Sequence, residues 1–426
     1  MRRLLHWAFG LSVVLQACVT VSPTPAHIQE ALSAEPDAWV VGIPKGVGKP
    51  IVLNNQDFVW TIAPMPGQEG AAFSRMASKQ FYASLWTLEK GQGETQGKLR
   101  CELPLNETAF DIEGMAFVPE GKALLAVSRN GNLYAVDSQS CALKQTVAIG
   151  RPLVSVAVDL ANQRIAVGAA DGWVALLPWP LPSSEEKGFA KALHADEVRA
   201  LAFDKAGHLF TGGFDKRIVQ WLVKVEEEGR LSLEKQKEFV FESYVNDFSL
   251  DALGKTLGVA LSAVKAERTM EVYQREKRGK KEPVRPGDGG ALVNVETGEQ
   301  KAFFAHRGTL TTAGISPDGQ MLVTGGFDKR ILFHRPGEKT WAKELGWSVR
   351  RLRFSPSGRY VWAAAWTPQL AEPDKPSAPS ALAYELLFGE DAFVRTLPVE
   401  MAVPRELKKA ANDEEGGGAV KSPAEE

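Results

Sequence analysis

The 426-residue chain has few of the residues on which catalytic and metal sites are built. It holds six histidines and three cysteines, and it lacks Cys-x-x-Cys and His-Glu-x-x-His pairs, the Gly-x-Ser-x-Gly elbow and the Gly-x-x-x-x-Gly-Lys-Ser/Thr loop. Those patterns hold metal ions, an activated serine or a nucleotide phosphate. We therefore predict that the chain is not an enzyme and that it has no metal site and no cofactor.

The chain also lacks a surplus of charge and a long apolar segment. Its formal net charge is −2, whereas nucleic-acid-binding proteins usually carry a clustered positive surplus, so we predict no nucleic-acid partner. The apolar run from Trp7 to Leu15 is about half the roughly 20 residues that a membrane-spanning helix needs. Because Arg2 and Arg3 precede this run, its layout is typical of a signal peptide.

The end of the apolar run resembles the bacterial lipobox. Leu15, Gln16 and Ala17 precede Cys18, which places a small residue directly before a cysteine. The resemblance implies that Cys18 is diacylated and becomes the mature N-terminus, anchoring the protein to the cell envelope. Val19 is not the aspartate of inner-membrane retention, so the anchor is expected in the outer membrane, facing the periplasm. An ordinary signal peptide cleaved at another position is the alternative.

Composition divides the chain into four parts. The stretch SPTPAHIQEALSAEP after Cys18 is typical of a short tether, and the C-terminal stretch NDEEGGGAVKSPAEE lacks the apolar content to fold. The predicted parts are a lipoprotein signal peptide at 1–17, a flexible tether at 18–45, a folded domain at 46–400 and a disordered tail at 401–426.

Two cysteines remain if Cys18 carries lipid. Cys101 and Cys141 form an even pair, and an exported protein meets an oxidising compartment, so the two can form a disulfide. Two small residues on separate strands, without a bond, are the alternative.

Repetition is the strongest pattern that the sequence contains. A short apolar strand followed by a polar turn recurs as MAFVPEG, VAVDLAN, LAFDKAG, FSLDALG, AGISPDG and LRFSPSG. The third residues of these copies, Phe117, Val158, Phe203, Leu250, Ile315 and Phe354, are separated by 41, 45, 47, 65 and 39 residues. A period of this length indicates a repeat architecture.

Each period fits about four short strands. Turn residues recur every 8 to 12 positions and apolar residues alternate with period two, as in RIAVGAADGWVALL, so the predicted fold class is all-β. Four-stranded sheets around a channel form a β-propeller. Six periods, together with strand-like stretches from Ile51 and Phe81, predict seven blades, and six or eight blades stay open.

Two periods resemble the WD-repeat family in specific residues. The first contains His194, Thr211, Asp215 and Trp221, and the second contains His306, Thr324 and Asp328, with His334 at the tryptophan position. The resemblance implies that histidine, hydroxyl, aspartate and tryptophan form a hydrogen-bond chain that staples each blade. We therefore predict that these residues are structural rather than catalytic.

Basic residues in two turns and one insertion are the candidate partner-binding residues. Both WD-like periods contain the turn FDKR, which predicts exposed Lys216, Arg217, Lys329 and Arg330. The 65-residue interval contains the insert 263–290, whose charged composition predicts a projecting loop. Its candidates are Arg275, Lys277, Arg278, Lys280 and Lys281. Solvated turns and a tolerated surface extension are the alternatives.

Two functions of different classes follow. The first is an envelope-anchored protein-interaction scaffold or assembly factor, which binds protein partners through a propeller face and its loops. The second is an enzyme or small-ligand receptor with a site in the central channel, since a fold does not determine a function. Carboxylates or histidines that converge on the channel mouth would favour the second.

The lipobox predicts that Cys18→Ser abolishes membrane anchoring, because serine lacks the sulfur that carries the diacylglycerol. We expect the variant to leave the membrane fraction or to accumulate as an unprocessed precursor. Fractionation and the mass of the mature N-terminus measure both effects. Unchanged fractionation and processing would contradict the anchor.

Overall fold

The computed structural model describes thirty β-strands. The described residues are 20–21, 40–41, 47–54 and 58–386, with gaps at 78–79, 91–94, 106–111, 119–120, 160, 182–188, 228–229, 266–288, 304–305, 307, 336, 339, 346–347 and 367–380. Cys18 and the tail 401–426 lie outside them. In this described part, no helix is long and apolar enough to span a membrane.

The strands form seven sheets with four-stranded cores. Three strands precede the first sheet: β1 Thr20–Val21, β2 Val40–Val41 and β3 Val47–Asn54. Sheet 1 contains β4 Phe58–Pro64, β5 Gly70–Ala77, β6 Gln80–Lys90 and β7 Thr95–Leu105. Sheet 2 contains β8 Ile112–Phe117, β9 Ala123–Ser128, β10 Asn132–Asp137 and β11 Leu143–Ala148. Sheet 3 contains β12 Leu153–Asp159, β13 Arg164–Ala169, β14 Trp173–Pro178 and β15 Phe189–Ala192.

The later sheets repeat this order along the chain. Sheet 4 contains β16 Ala200–Phe203, β17 His208–Gly212, β18 Arg217–Val225 and β19 Leu231–Val240. Sheet 5 contains β20 Tyr244–Leu250, β21 Thr256–Ser262, β22 Gly289–Asn294 and β23 Gln300–Ala302. Sheet 6 contains β24 Leu310–Ile315, β25 Leu322–Gly326, β26 Arg330–His334 and β27 Trp341–Glu344. Sheet 7 contains β28 Ser348–Phe354, β29 Tyr360–Trp366 and β30 Ala381–Leu386.

The four-stranded cores of six sheets are continuous in sequence, with β1 and β2 added as parallel fifth strands to sheets 4 and 6. Sheet 7 takes its fourth strand from the N-terminal side. Strand β3 pairs antiparallel with β30, with Ile51 opposite Ala383. The stretch that begins at Ile51 was expected to lie within one N-terminal blade, but the structure divides it between sheet 7, through β3, and sheet 1, through β4. The physical reason is that β3 covers an edge of sheet 7 that would otherwise stay unpaired.

The sheets stand around a central channel. The first strand of each sheet contacts the first strand of the next, and β28 contacts β4, so the ring is closed. An apolar cluster fills each junction between neighbouring sheets. In β9, Leu124 faces sheet 1 and Leu125 faces sheet 3, which explains why second strands are apolar at successive positions. The predicted all-β propeller with four-stranded blades is confirmed.

A β-bulge near the start of the first strand recurs in six of the seven sheets. Pairing with the second strand skips one residue in β4, β8, β12, β20, β24 and β28. The skipped residues are Trp60, Glu113, Val154, Asn246, Thr311 and Arg350. A bulge re-aims a side chain out of the regular alternation, so these residues are placed apart from the apolar junctions.

Sheets 1 and 2 are joined by the Cys101–Cys141 disulfide. Cys101 lies in β7, Cys141 lies between β10 and β11, and their Cα atoms are 6.3 Å apart, within the usual range for a disulfide. Both cysteines pack against the apolar cluster between the two sheets. Of the two alternatives left by the sequence, the structure therefore has the bonded one.

Candidate functional site

The first WD-like period forms the hydrogen-bond chain that its sequence implies. His194 Nδ1 lies 2.9 Å from Asp215 Oδ2, and His194 Nε2 lies 2.6 Å from Thr211 Oγ1. Trp221 Nε1 donates to Thr211 Oγ1 at 2.8 Å. Since the indole nitrogen can only donate, Thr211 Oγ1 accepts from Trp221 and also bonds His194 Nε2. Both ring nitrogens of His194 therefore have a partner within the sheet.

The second period forms a chain that is one link longer. His306 bonds Asp328 through Nδ1 at 3.0 Å and Thr324 through Nε2 at 2.9 Å. His334 Nε2 lies 3.0 Å from Thr324 Oγ1, where the first period has tryptophan, and His334 Nδ1 continues to the Thr340 hydroxyl at 3.1 Å. Burial, reinforced by His306, lowers the pKa of His334 to about 3. His334 is therefore neutral at physiological pH.

These contacts define one face of the propeller. His194 lies in the connection into β16, and Asp215 lies in the turn between β17 and β18, so the two connections meet on one side. His306 and Asp328 meet in the same way in sheet 6. We call the side that carries these four residues the His–Asp face.

The basic turn residues lie on the His–Asp face but differ in exposure. Lys329 is exposed, and Lys216 is half-buried with Nζ 5.0 Å from the centre of the Tyr244 ring. Arg217 bonds Asp215 at 2.7 Å and Glu238 at 2.9 Å.

Arg330 differs from its predicted exposed position. It is 8% exposed and bonds Glu344 at 2.6 Å. The difference arises because Arg330 begins β26, where its side chain reaches across to the paired strand β27.

The insert 263–290 leaves the propeller on this same face. It connects β21 to β22, and its last described residue before the gap, Lys265, forms an ion pair with Asp196 and lies over the rings of Phe214 and Tyr244. Leu261 pairs with Gly289, so the hairpin closes around the insert. The predicted contacts Arg275, Lys277, Arg278, Lys280 and Lys281 lie outside the described residues. The segment 367–380 connects β29 to β30, which is the same connection in sheet 7 as the insert makes in sheet 5.

Charged side chains from different sheets meet where the first strands begin. Arg129, in the turn between β9 and β10, bonds Glu113 at 2.9 Å and Glu197 at 3.0 Å. Arg199 also bonds Glu197, and its guanidinium lies over the Phe214 ring. Burial would raise the pKa of Glu113, but Arg199, Arg350 and Arg129 outweigh it and lower that pKa to about 2.

A second group spans sheets 5 to 7. Asp247 accepts two bonds from Arg353, at 2.7 and 2.9 Å, and one from Thr312 at 2.7 Å. Arg351 Nη1 lies 3.5 Å from the same carboxylate. Burial would raise the pKa of Asp247, but Arg353 and Arg351 outweigh it and lower that pKa. We call both groups together the channel cluster: Glu113, Arg129, Glu197, Arg199, Asp247, Arg350, Arg351 and Arg353.

Sequence reasoning missed the channel cluster. When the repeats are aligned, Glu113, Arg199, Asn246 and Arg350 occupy the same place, one residue after the apolar start of the first strand. A polar residue recurring there in an apolar strand was the available signal. Elsewhere, His208 bonds Asp204 at 2.8 Å. Within the described ranges, no group of three or more His, Cys, Asp or Glu could hold a metal ion.

Comparisons with known proteins agree with this architecture. Residues 192–221 and 298–334 match the family model "WD domain, G-beta repeat", and these segments contain both hydrogen-bond chains except for Thr340. The solved structure described as "Structure of U3-55K" covers 80% of this chain and 100% of that chain, with a TM-score of 0.59 and 13% identity, a likeness in fold. No curated protein matches the chain. Two segments of this propeller therefore match the WD-repeat model, and the predicted resemblance is confirmed.

The first hydrogen-bond chain predicts that His194→Ala destabilises the fold. The variant leaves Asp215 and Thr211 short of a partner in a buried site, so we expect a loss of roughly 1 to 3 kcal/mol in the free energy of unfolding. Urea unfolding measures the loss. His208→Ala is the matched control, because its half-exposed pair with Asp204 is expected to contribute about 0 to 1 kcal/mol. Equal losses in both variants would contradict the assignment.

The low pKa of His334 predicts an acid-dependent loss of stability. Between its ordinary value of 6.5 and about 3, the unfolded chain binds a proton that the folded protein does not. Stability therefore falls as the pH falls through this window, by up to about 1.4 kcal/mol per pH unit from this residue. His334→Gln has no such proton, so its free energy of unfolding should fall less steeply from pH 6.5 to 4.5. Parallel curves for the two proteins would refute this role.

Proposed function

We propose that the protein is a protein-interaction scaffold, anchored to the cell envelope by lipid on Cys18, whose partners bind the His–Asp face. The observation that carries this proposal is that the turn between β17 and β18, the turn between β25 and β26 and the point where the insert departs lie on one side of the propeller. Exposed Lys329 and half-buried Lys216 lie there, and the insert departs beside Lys265. Long loops on a rigid scaffold often carry binding residues.

The internal bonding of the histidines supports a scaffold over an enzyme. Both ring nitrogens of His194 and His306 are hydrogen-bonded to partners within their own sheets, and so are those of His334. A general base needs a ring nitrogen within reach of substrate. The described histidines of the WD repeats therefore serve the architecture.

The chemistry of the face favours an acidic partner surface. Lys329 supplies an exposed cation on this face, and the sequence of the insert is rich in lysine and arginine. Attraction between exposed charges weakens as the salt concentration rises through the physiological range. Partner binding should therefore weaken as the salt concentration rises. An assembly factor anchored in the envelope would meet such partners there.

The experiment replaces residues 266–288 with a short Gly/Ser turn. Since β21 and β22 already pair up to Leu261 and Gly289, and loop-closure entropy changes slowly with length, we expect an unchanged melting midpoint. Capture of partners from the organism's own envelope by the tagged mature protein should fall. Collapse of stability with unchanged capture per folded molecule would show that the insert is structural.

A pair of charge reversals tests which face is used. Lys329→Glu changes the His–Asp face, and Lys205→Glu, in the turn between β16 and β17, makes the same change on the opposite face. Both lysines are exposed, so stability should be unaffected in each case. Capture should fall only for Lys329→Glu, and a loss confined to Lys205→Glu would overturn the proposed face.

A further inference from the structure

Two short strands from the N-terminal side join the outer edges of sheets 4 and 6. Strand β1 runs parallel to β19, with Thr20 opposite Glu238. Strand β2 runs parallel to β27, with Val40 opposite Trp341. Because β19 and β27 are the last of the four core strands of their sheets, they lie farthest from the channel. The chain before β3 is therefore attached to the outer rim of the propeller at two places.

The outer strands are well packed where β1 and β2 join them. Phe239 is fully buried in the apolar cluster between sheets 4 and 5, and Ala342 of β27 is buried as well. The carboxylate of Glu238 accepts hydrogen bonds from Arg217 at 2.9 Å and from Lys235 at 2.6 Å. The two short strands therefore pair with fixed edges, and they cover backbone groups that a sheet edge would otherwise expose.

The link between Cys18 and β1 is very short. Only Val19 separates Cys18 from Thr20, and two Cα–Cα steps span at most about 7.6 Å. Since paired strands lie about 5 Å apart, an anchor on Cys18 is held within about 12 Å of β19. No other sheet is tied so closely to this cysteine by the described strands.

The direction of β1 shows from which side the chain enters it. Strand β19 ends beside the His–Asp face, because Val240 pairs with Arg217 at the start of β18. Strand β1 is parallel to β19, so it also runs toward the His–Asp face. The chain therefore enters β1 from the side that points away from this face, along the outer edge of sheet 4.

We propose that the outer edge of sheet 4 is the membrane-facing surface of the protein and that the surface it meets is a phospholipid bilayer. This proposal rests on the lipid anchor at Cys18 and adds an orientation to it. The ring order puts sheet 1 three positions away from sheet 4, and a compact domain of this size is roughly 50 Å across. The propeller then stands on its rim, and the His–Asp face is turned sideways, open to partners.

The side chains at this edge are compatible with lipid headgroups. Val225, at the end of β18, is 61% exposed, which is the largest value among the large apolar side chains in the described ranges. Both carboxylates of β19, Glu234 and Glu238, form ion pairs with lysines. The strand therefore presents no unpaired anion to the phosphates of the bilayer.

The cysteines of the chain allow a direct test of this orientation. With Cys18 lipidated and Cys101 bonded to Cys141, the three cysteines offer no free thiol. One introduced cysteine can then carry a fluorophore at a single position. Three exposed positions sample the outer edge of sheet 4, the outer edge of sheet 1 and the His–Asp face: Gln236→Cys, Gln96→Cys and Lys329→Cys.

Each labelled, lipidated protein is reconstituted into vesicles of phosphatidylethanolamine and phosphatidylglycerol that contain a lipid with a headgroup nitroxide, which quenches fluorescence only at close range. We expect a loss of fluorescence for Gln236→Cys and none for Gln96→Cys or Lys329→Cys. Equal quenching of Gln236→Cys and Gln96→Cys would refute the orientation. Stronger quenching of Lys329→Cys than of Gln236→Cys would show that the His–Asp face meets the bilayer, and it would also refute the proposal.

Flotation with the vesicles and the mass of the N-terminal peptide test the anchor separately. A protein that carries lipid and floats, but shows no selective quenching, keeps the anchor and overturns the orientation. A protein that carries no lipid and does not float overturns the anchor of the proposed function, and the orientation with it.

Two insertions test whether the short link sets the orientation. Ten Gly/Ser residues between Val19 and Thr20 leave β1 intact and add up to about 35 Å of reach. We expect equal flotation and a loss of selective quenching at Gln236→Cys. The matched control places the same insertion between Pro44 and Lys45, after β2, where quenching should be unchanged. Selective quenching that persists in the first insertion, or that is lost equally in both, would contradict the role of the link.

Discussion

Closure of the ring is the constraint on which the rest of the structure depends. Each sheet is apolar on both faces and must lie between two neighbours to bury them. A linear array would leave two faces in water. Strand β3 completes sheet 7 at the junction with sheet 1, where Phe73 and Trp362 pack edge to face with ring centres 6.1 Å apart. Apolar burial at this last junction therefore holds the two ends of the folded chain together.

Closure also brings polar groups of different sheets together, and the protein satisfies them in two ways. The WD chains connect histidine, hydroxyl and aspartate side chains within one sheet, so that both ring nitrogens of His194 and His306 are bonded. The channel cluster pairs ionised groups from different sheets. Hydrogen bonding in the first case stabilises single sheets, and ion pairing in the second links different sheets.

The two arrangements meet on the His–Asp face. Exposed Lys329 lies there in the turn beside Asp328, and the insert departs there beside Lys265. Arg129 occupies the equivalent turn of sheet 2 and bonds Glu113 and Glu197 where the first strands begin. The same connections therefore carry structural hydrogen bonds, ion pairs and exposed turn residues.

The sequence by itself determined the strand pattern, the repeat period and both WD hydrogen-bond chains, because each of these depends on residues within one sheet, close together in the chain. Tertiary structure alone decided which strand closes the ring and that Arg330 is buried. It also decided which charged side chains meet: Glu113, Arg129, Glu197 and Arg199. Those outcomes depend on contacts between different sheets and on bulges that re-aim single residues. A repeat pattern describes one sheet at a time, and only the closed ring fixes which side chains face each other across the channel.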